Sequence, residues 1–419
     1  MRAPAALRQR NFALLWSGQA ISLIGDGIFT VAVALEALQL DHRPTGLSFV
    51  LAGRLLPTVG LLLFGGVLVD RVPRRLAMLG SDAARALTVG AMALLAGLGQ
   101  LSLLELVLLA VAFGVADSIF YPASTAIVPE LLPAELLVQG SALNQGSQTL
   151  AGSLLGPALG GVLATSLGAA WGFGADAVSF VVSATCLALM ASSARVLPAP
   201  SRRRILTEVH QGISYCLSHP WLWATLLGAA VANFALFSPL GVLVPLLVRH
   251  VLHQGGVALG LVLASAGLGG GMVSLLVGRF GAPRRRITWM CVAWGGAGAT
   301  AIIAALAPNV WVLGGAAFVV GGLLLYGNAL WSPLIQTLVP PELLGRVSSV
   351  DWLVSLSLSP LGVLVAGAVA AAIGTRLTLL GGAVISTCTA AVVLIPGVRA
   401  PEREPLQPAT TSLESEPVR

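Results

Sequence analysis

Pro122-Ala123-Ser124-Thr125-Ala126-Ile127-Val128-Pro129-Glu130-Leu131-Leu132 recurs 211 residues later as Pro333-Leu334-Ile335-Gln336-Thr337-Leu338-Val339-Pro340, where an extra Pro341 precedes the matching Glu342-Leu343-Leu344. A second pair, Pro73-Arg74-Arg75 and Pro283-Arg284-Arg285, repeats at an offset of 210. Two registers that agree to within one residue read as a single duplicated unit of about half the chain.

The sequence between these markers is apolar. Of 419 residues, 56% are hydrophobic and 10% charged, against about 25% charged in a soluble domain. Mean hydropathy is +0.91. A chain this poor in charge cannot cover a water-facing surface, so lipid is the expected solvent. The 49 glycines favour close-packed helices. The long unalternating runs, as in 310–325, argue against a barrel. Runs of about 20 apolar residues lie near 12–38, 46–69, 76–98, 102–127, 141–166, 171–192, 221–248, 256–280, 287–307, 310–335, 348–373 and 376–396. The predicted fold is therefore an all-α membrane protein of twelve transmembrane helices in two six-helix halves, 1–192 and 221–396. A polar cytoplasmic linker, 193–220, joins them. The tail 397–419, rich in Pro, Glu, Ser and Thr, is expected to be disordered. An even split makes the two repeats parallel, related by an axis along the membrane normal. Arg2, Arg8 and Arg10 with Ala32-Val33-Ala34 resemble a signal peptide, but the apolar stretch between them is too long, which favours an uncleaved first span.

Arg sets the orientation. With the N-terminus inside, eighteen Arg fall in cytoplasmic segments and the tail, and only Arg43, Arg249 and Arg376 fall outside. That asymmetry places both termini in the cytoplasm of an inner-membrane protein. It also explains the net charge of +6 without a nucleic-acid partner. All 23 basic residues are Arg. Without Lys there is no P-loop ATPase and no Schiff-base enzyme. The four Cys are widely spaced and read as small core residues. His250-x-x-His253 lacks a third ligand, and no hydrolase motif is present. Neither a catalytic residue, a cofactor nor a bound metal is predicted.

Two motifs give the family. Gly66-Val-Leu-Val-Asp70-Arg71-Val-Pro73-Arg74-Arg75, between spans two and three, resembles the loop motif of the major facilitator superfamily. Gly152-x-x-x-Gly156-Pro157-x-x-Gly160-Gly161 in span five is similar to that superfamily's motif in drug and proton antiporters. The opening 11–16 and 21–26, with Pro129-Glu130-Leu131 and Asn144-Gln145-Gly146, resembles the enterobactin-exporter and macrolide-efflux branch. The resemblance implies a secondary active transporter: proton-coupled efflux of small amphipathic molecules, drugs or siderophore-like compounds, by alternating access from a monomer. Uptake or exchange of another solute without proton antiport, or a membrane protein without transport, are the alternatives. Two positions depart from the family pattern. Pro73 stands where the loop motif has Gly, and span four lacks the Arg common in proton-coupled drug antiporters.

The residues themselves suggest roles for these motifs. Asp70 stands at the cytoplasmic end of span two, where it can face a helix N-terminus; Ser348 and Ser349 open span eleven on that side. Asp82 and Glu130 are within reach of Arg71, Arg74 and Arg75. Gly156 and Gly160 share one helix face, and Pro157 permits a kink.

Ionisable residues at membrane depth mark candidate sites: Asp26, Arg54, Asp117 and Asp176. Asp26 and Arg54 lie at similar depth in neighbouring spans, and read as a structural ion pair or as a substrate or proton site. Asp117, with no Arg on its own helix, suits a proton carrier or a carboxyl bonded to a neighbouring helix. Asp176, near the external end, reads as a cap or packing group. Asn144 and Gln148, spaced i,i+4, with Asn233, Asn328 and Gln336, are the candidate cavity residues.

Overall fold

Each predicted apolar run is a helix. The computed structural model describes residues 4–69, 72–191, 211–281 and 283–403, and no strand occurs among them. The helices are α1 (Arg10–Leu40), α2 (Pro44–Val69), α3 (Arg74–Gly97), α4 (Leu103–Leu131), α5 (Ala134–Ser166), α6 (Ala169–Leu189), α7 (Pro220–Val251), α8 (Gly256–Phe280), α9 (Arg286–Leu306), α10 (Val310–Leu338), α11 (Leu343–Ile373) and α12 (Thr375–Leu394). Eleven of them are long and apolar enough to cross a membrane; α2, of 26 residues, lies between the first two of these. Large apolar side chains face outward along them: Leu87, Leu275 and Val138 are each more than three-quarters exposed. In water that surface would aggregate; in a bilayer it is solvated. Exposed Trp171, Trp289 and Trp311 stand in the first turns of α6, α9 and α10, the depth at which indoles collect in membranes.

Several boundaries shift from expectation. Helix α4 continues through Pro122 and Pro129 to Leu131, since neighbouring helices in lipid absorb the lost backbone bond. Helix α5 starts at Ala134 instead of 141. The helix that carries α11 opens at Pro341 instead of 348, so Ser348 and Ser349 lie inside it and do not mark its N-terminus. Linker residues 192–210, tail residues 404–419, and Asp70 and Arg71 lie outside the described residues.

Prolines punctuate three spans. Ahead of Pro157, Gln148–Leu155 widens into a π-helix. Helix α7 carries two such segments, Asn233–Phe237 and Leu247–Val251, around Pro239 and Pro245. Helix α11 breaks at Leu358, just before Pro360. Each proline removes an intrahelical donor, and the widened turn re-pairs the carbonyls around it.

The chain enters the bundle at what we call the proximal end, where α1, α5, α7 and α11 begin and α4 and α10 finish. Helices α1–α4 and α6 pack together, and α8–α10 pack with α12. Helices α5 and α8 meet, as do α2 and α11, and both seams lie toward the distal end. In the first seam a Cβ on Gly161 would stand 2.6 Å from the Gly256 carbonyl, and Val257 N donates to Thr165 Oγ1 at 3.1 Å. In the second, Gly367 rests on Ser48 and on the Pro44 carbonyl.

The span-five glycines divide between two neighbours. A Cβ on Gly156 would sit 2.7 Å from the Gly27 Cα, and one on Gly160 2.8 Å from the Ile28 Cα, both on α1. Gly161 faces α8, while Gly152 has only ordinary contacts, with Leu23 at 3.6 Å. Because the obstructing atoms are backbone, a side chain cannot be accommodated by a rotamer change. Gly160→Leu should destabilise the protein by about 1–3 kcal/mol or prevent its folding. Gly174→Ala, where the added Cβ meets nothing within 4 Å, should leave the melting temperature unchanged in the same detergent.

Candidate functional site

Six ionisable groups from five helices converge between α1, α2, α3, α4 and α6. Arg54 on α2 donates through Nε and Nη2 to Asp117 Oδ2 on α4, at 3.1 and 3.0 Å. Its Nη2 also lies 3.8 Å from Asp26 Oδ1 on α1, which accepts no hydrogen bond from the described residues. From α3, Arg85 brings Nε to 3.2 Å from Asp117 Oδ1 and Nη1 to 3.7 Å from Asp82 Oδ1. Ser183 Oγ on α6 donates to Asp82 Oδ2 at 2.7 Å. Asp176, also on α6 and fully buried, takes Ser179 Oγ at 3.2 Å on Oδ1, while its Oδ2 has no partner.

Aromatic rings floor this cluster. The Arg54 guanidinium lies 4.4 Å from the Phe113 ring centre and 5.5 Å from that of Phe29; Arg85 lies 3.8 Å from Phe120 and 5.1 Å from Phe180. Phe29 and Phe113 stack at 5.2 Å, and Phe173 and Phe180 close the group. Ring faces attract a desolvated cation, and the carboxylates supply the charge that makes burying two guanidiniums tolerable.

The geometry narrows the sequence reading in four places. Asp26 and Arg54 do approach, but the primary partner of Arg54 is Asp117. Asp117 does bond to neighbouring helices, and its partners there are the guanidiniums of Arg54 on α2 and Arg85 on α3. Helix α4 carries no Arg of its own, and Arg54 from α2 and Arg85 from α3 reach its Asp117. Asp82 reaches Arg85 and Ser183, not Arg74 or Arg75. Asp176 is no helix cap: the N-cap of α6 is Gly168, and Asp176 packs on α1 where Gly25 leaves room for it.

Two cavities open from the proximal half. One, of about 550 Å³, is lined by Asp26, Arg85, Asp117, Tyr121, Asn144 and Gln148, among others. The second, of about 370 Å³, lies among α7, α9, α10, α11 and α12; Asn233 and Asn328 line it, with Trp294, Trp331, Asp351 and Trp352. Gln336 lines neither: it is exposed, and its Nε2 donates to Ser332 Oγ at 3.3 Å. Arg85, Asp82 and Asp351 escape a search for isolated charges. Asp82 and Arg85 look like an ordinary i,i+3 surface pair, and Asp351 lies three residues inside the span predicted from 348. The available signal was an acidic residue in an otherwise apolar run.

Of the loop motif, Gly66 lies on α2 and Asp70 and Arg71 lie outside the described residues. Arg74 Nη1 donates to Glu130 Oε1 at 2.6 Å and to the Ala126 carbonyl at 2.7 Å. Arg75 donates to the Leu187 and Ala188 carbonyls, both at 2.6 Å. The two arginines therefore tie α3 to the C-terminal turns of α4 and α6, where cations are favoured.

Comparison with known proteins agrees with this architecture. The family model described as transmembrane secretion effector matches residues 2–418. The enterobactin exporter EntS of Citrobacter koseri is 30% identical over 340 residues, 80% of each chain, and that of Escherichia coli O1:K1 / APEC is 28% identical over the same share. Among solved structures, a bacterial homologue of the iron transporter ferroportin in an inward-facing state superposes with TM-score 0.68 at 17% identity, covering 91% of this chain and 99% of that one. A POT family transporter in complex with a thioalcohol-conjugated peptide gives 0.72 at 13% identity, covering 92% and 95%. These last likenesses show the fold alone. With one family model spanning nearly every residue, the chain belongs to the transmembrane secretion effector family and is a membrane transporter of the major facilitator type.

Proposed function

We propose that this transporter is a proton-coupled exporter of small amphipathic molecules and works by alternating access. The observation that carries this reading is the charge balance of the buried cluster. Three carboxyl groups, Asp26, Asp82 and Asp117, lie against two guanidiniums, Arg54 and Arg85, and a fourth, Asp176, is buried beside them without an ion pair among the described residues. Uncompensated charge is expensive at membrane depth, and electroneutrality leaves room for two protons. Asp26 and Asp117 line the larger cavity, where protons and substrate can both reach them. Asp26 Oδ1 lacks a hydrogen bond and sits 3.8 Å from Arg54. Protonating Asp26 releases Arg54 wholly to α4; removing that proton draws Arg54 toward α1. The proton state thus changes which helices the guanidinium ties together.

The proximal end is the cytoplasmic end, with twelve spans and both termini inside. The halves 1–192 and 221–396 move as units joined by 193–220, in a monomer of the inner membrane. Both cavities open proximally while the seams close distally, which is the arrangement of a cytoplasm-facing state. The mixed lining of Trp16, Phe120, Tyr121, Asn144 and Gln148 suits aromatic molecules that also hydrogen-bond, whether drugs or the siderophore-like cargo suggested by the EntS relatives.

In proteoliposomes, wild-type protein should release protons against a panel of lipophilic drugs and siderophore-like compounds. Asp26→Asn should abolish that flux yet melt as wild type, since Arg54 keeps both bonds to Asp117. Asp117→Asn should abolish flux and also destabilise the fold, because breaking a buried pair costs about 3–5 kcal/mol. Transport without proton movement in all three proteins would refute proton coupling. For topology, a membrane-impermeant maleimide applied to whole cells should label Gln100→Cys, between α3 and α4, and spare Glu135→Cys, in the first turn of α5, until the membrane is permeabilised. The reverse pattern would invert the orientation.

A further inference from the structure

Asp351 plays no part in the charge cluster, and it has no cationic partner among the described residues. Trp331 Nε1 donates to its Oδ2 at 2.9 Å and Ser355 Oγ to its Oδ1 at 3.2 Å. None of the residues described around its 370 Å³ cavity is basic. Three indoles, Trp294, Trp331 and Trp352, share the wall with it, the first two with ring centres 6.3 Å apart. Asn233 is turned to the Ser355 carbonyl, at 3.0 Å. The internal repeat sharpens the contrast. At the 211-residue offset, Asn328 takes the place of Asp117 and Trp331 that of Phe120. The second half therefore keeps the cavity but drops the guanidiniums, leaving one carboxylate among aromatic faces.

A lone carboxylate held by two neutral donors and walled by indoles is matched to one class of occupant. In its ionised form it needs a cation. The ring faces favour a cation that is large and weakly hydrated, and a cavity of this size excludes nothing smaller than a drug-like molecule. We infer that this cavity is a binding site for organic cations, with Asp351 as counter-ion and Trp294, Trp331 and Trp352 as its aromatic walls. Its place on the transport path rests on the alternating-access reading above; the binding itself does not.

The test is equilibrium dialysis of the purified full-length protein with radiolabelled tetraphenylphosphonium, with tetraphenylborate as an anion of the same shape. Wild type should bind the cation saturably and the anion much more weakly. Asp351→Asn should weaken cation binding about tenfold or more, the loss of one ion pair in a partly buried site, while Asp351→Glu retains most of it. Trp352→Leu changes a side chain that is 61% exposed, so the fold should be preserved, and it should weaken binding several-fold through the lost ring face. Equal affinity of wild type, Asp351→Asn and Trp352→Leu, equal binding of the anion, or no saturable binding by wild type would each overturn the assignment. Saturable, Asp351-dependent binding without any export would leave the site standing and remove the transport reading instead.

Discussion

The first half of this molecule is organised around Arg54 and its grip on Asp117. A guanidinium cannot sit at membrane depth without compensation, and here compensation comes from α1 and α4 at once. Arg85 adds the same demand from α3 and meets it with Asp117 and Asp82. Asp117 is therefore shared: one oxygen serves α2 and the other faces α3. Of the five phenylalanines beneath, four lie against the two cations. Apolar burial cannot drive helices together in lipid, so polar pairing of this kind sets which helices are neighbours.

Between the halves the opposite chemistry holds. The α5–α8 seam consists of backbone against backbone, Gly161 on Gly256 and Pro157 on Gly260, with one hydrogen bond from Val257 to Thr165. Such a contact is tight yet carries no charge and little side-chain interlock. It can open without stranding a buried ion, which is what a moving interface requires. Strong pairs within a half and uncharged contacts between halves are what the proposed alternating-access motion would need. The π-helical turns before Pro157 and around Pro239 and Pro245 lie in α5, at that boundary, and in α7.

Much of the architecture was legible in the residues because lipid imposes a simple rule on apolar length. Helix ends were less so: α4 passes through two prolines that would stop a helix in water, and α5 and α11 begin several residues earlier than hydropathy indicates, since their first turns are polar. The site divides in the same way. Asp26, Arg54, Asp117 and Asp176 stand out in apolar runs, and Asn144, Gln148, Asn233 and Asn328 do line cavities. Arg85 and Asp82 do not stand out, because their i,i+3 spacing has the same appearance on a wet helix. Which carboxylate each Arg would choose depended on the rotation of α3 and α4 about their axes, and no residue pattern in one chain specifies that. Asp351 was hidden by its place three residues inside the span predicted from 348, where a carboxylate reads as part of the polar helix end.

The central claim is that the proton state of the buried cluster decides which end of the bundle is open. Electron–electron resonance distances between spin labels at Val138 and Gly345, across the proximal end, measure that directly when taken over a range of pH in lipid nanodiscs, in a background with the four native cysteines replaced. For the wild type the account predicts two populations whose proportion changes with pH, and for Asp26→Asn a proportion that pH no longer moves. A single distance at every pH, or a pH response that Asp26→Asn leaves intact, would contradict it.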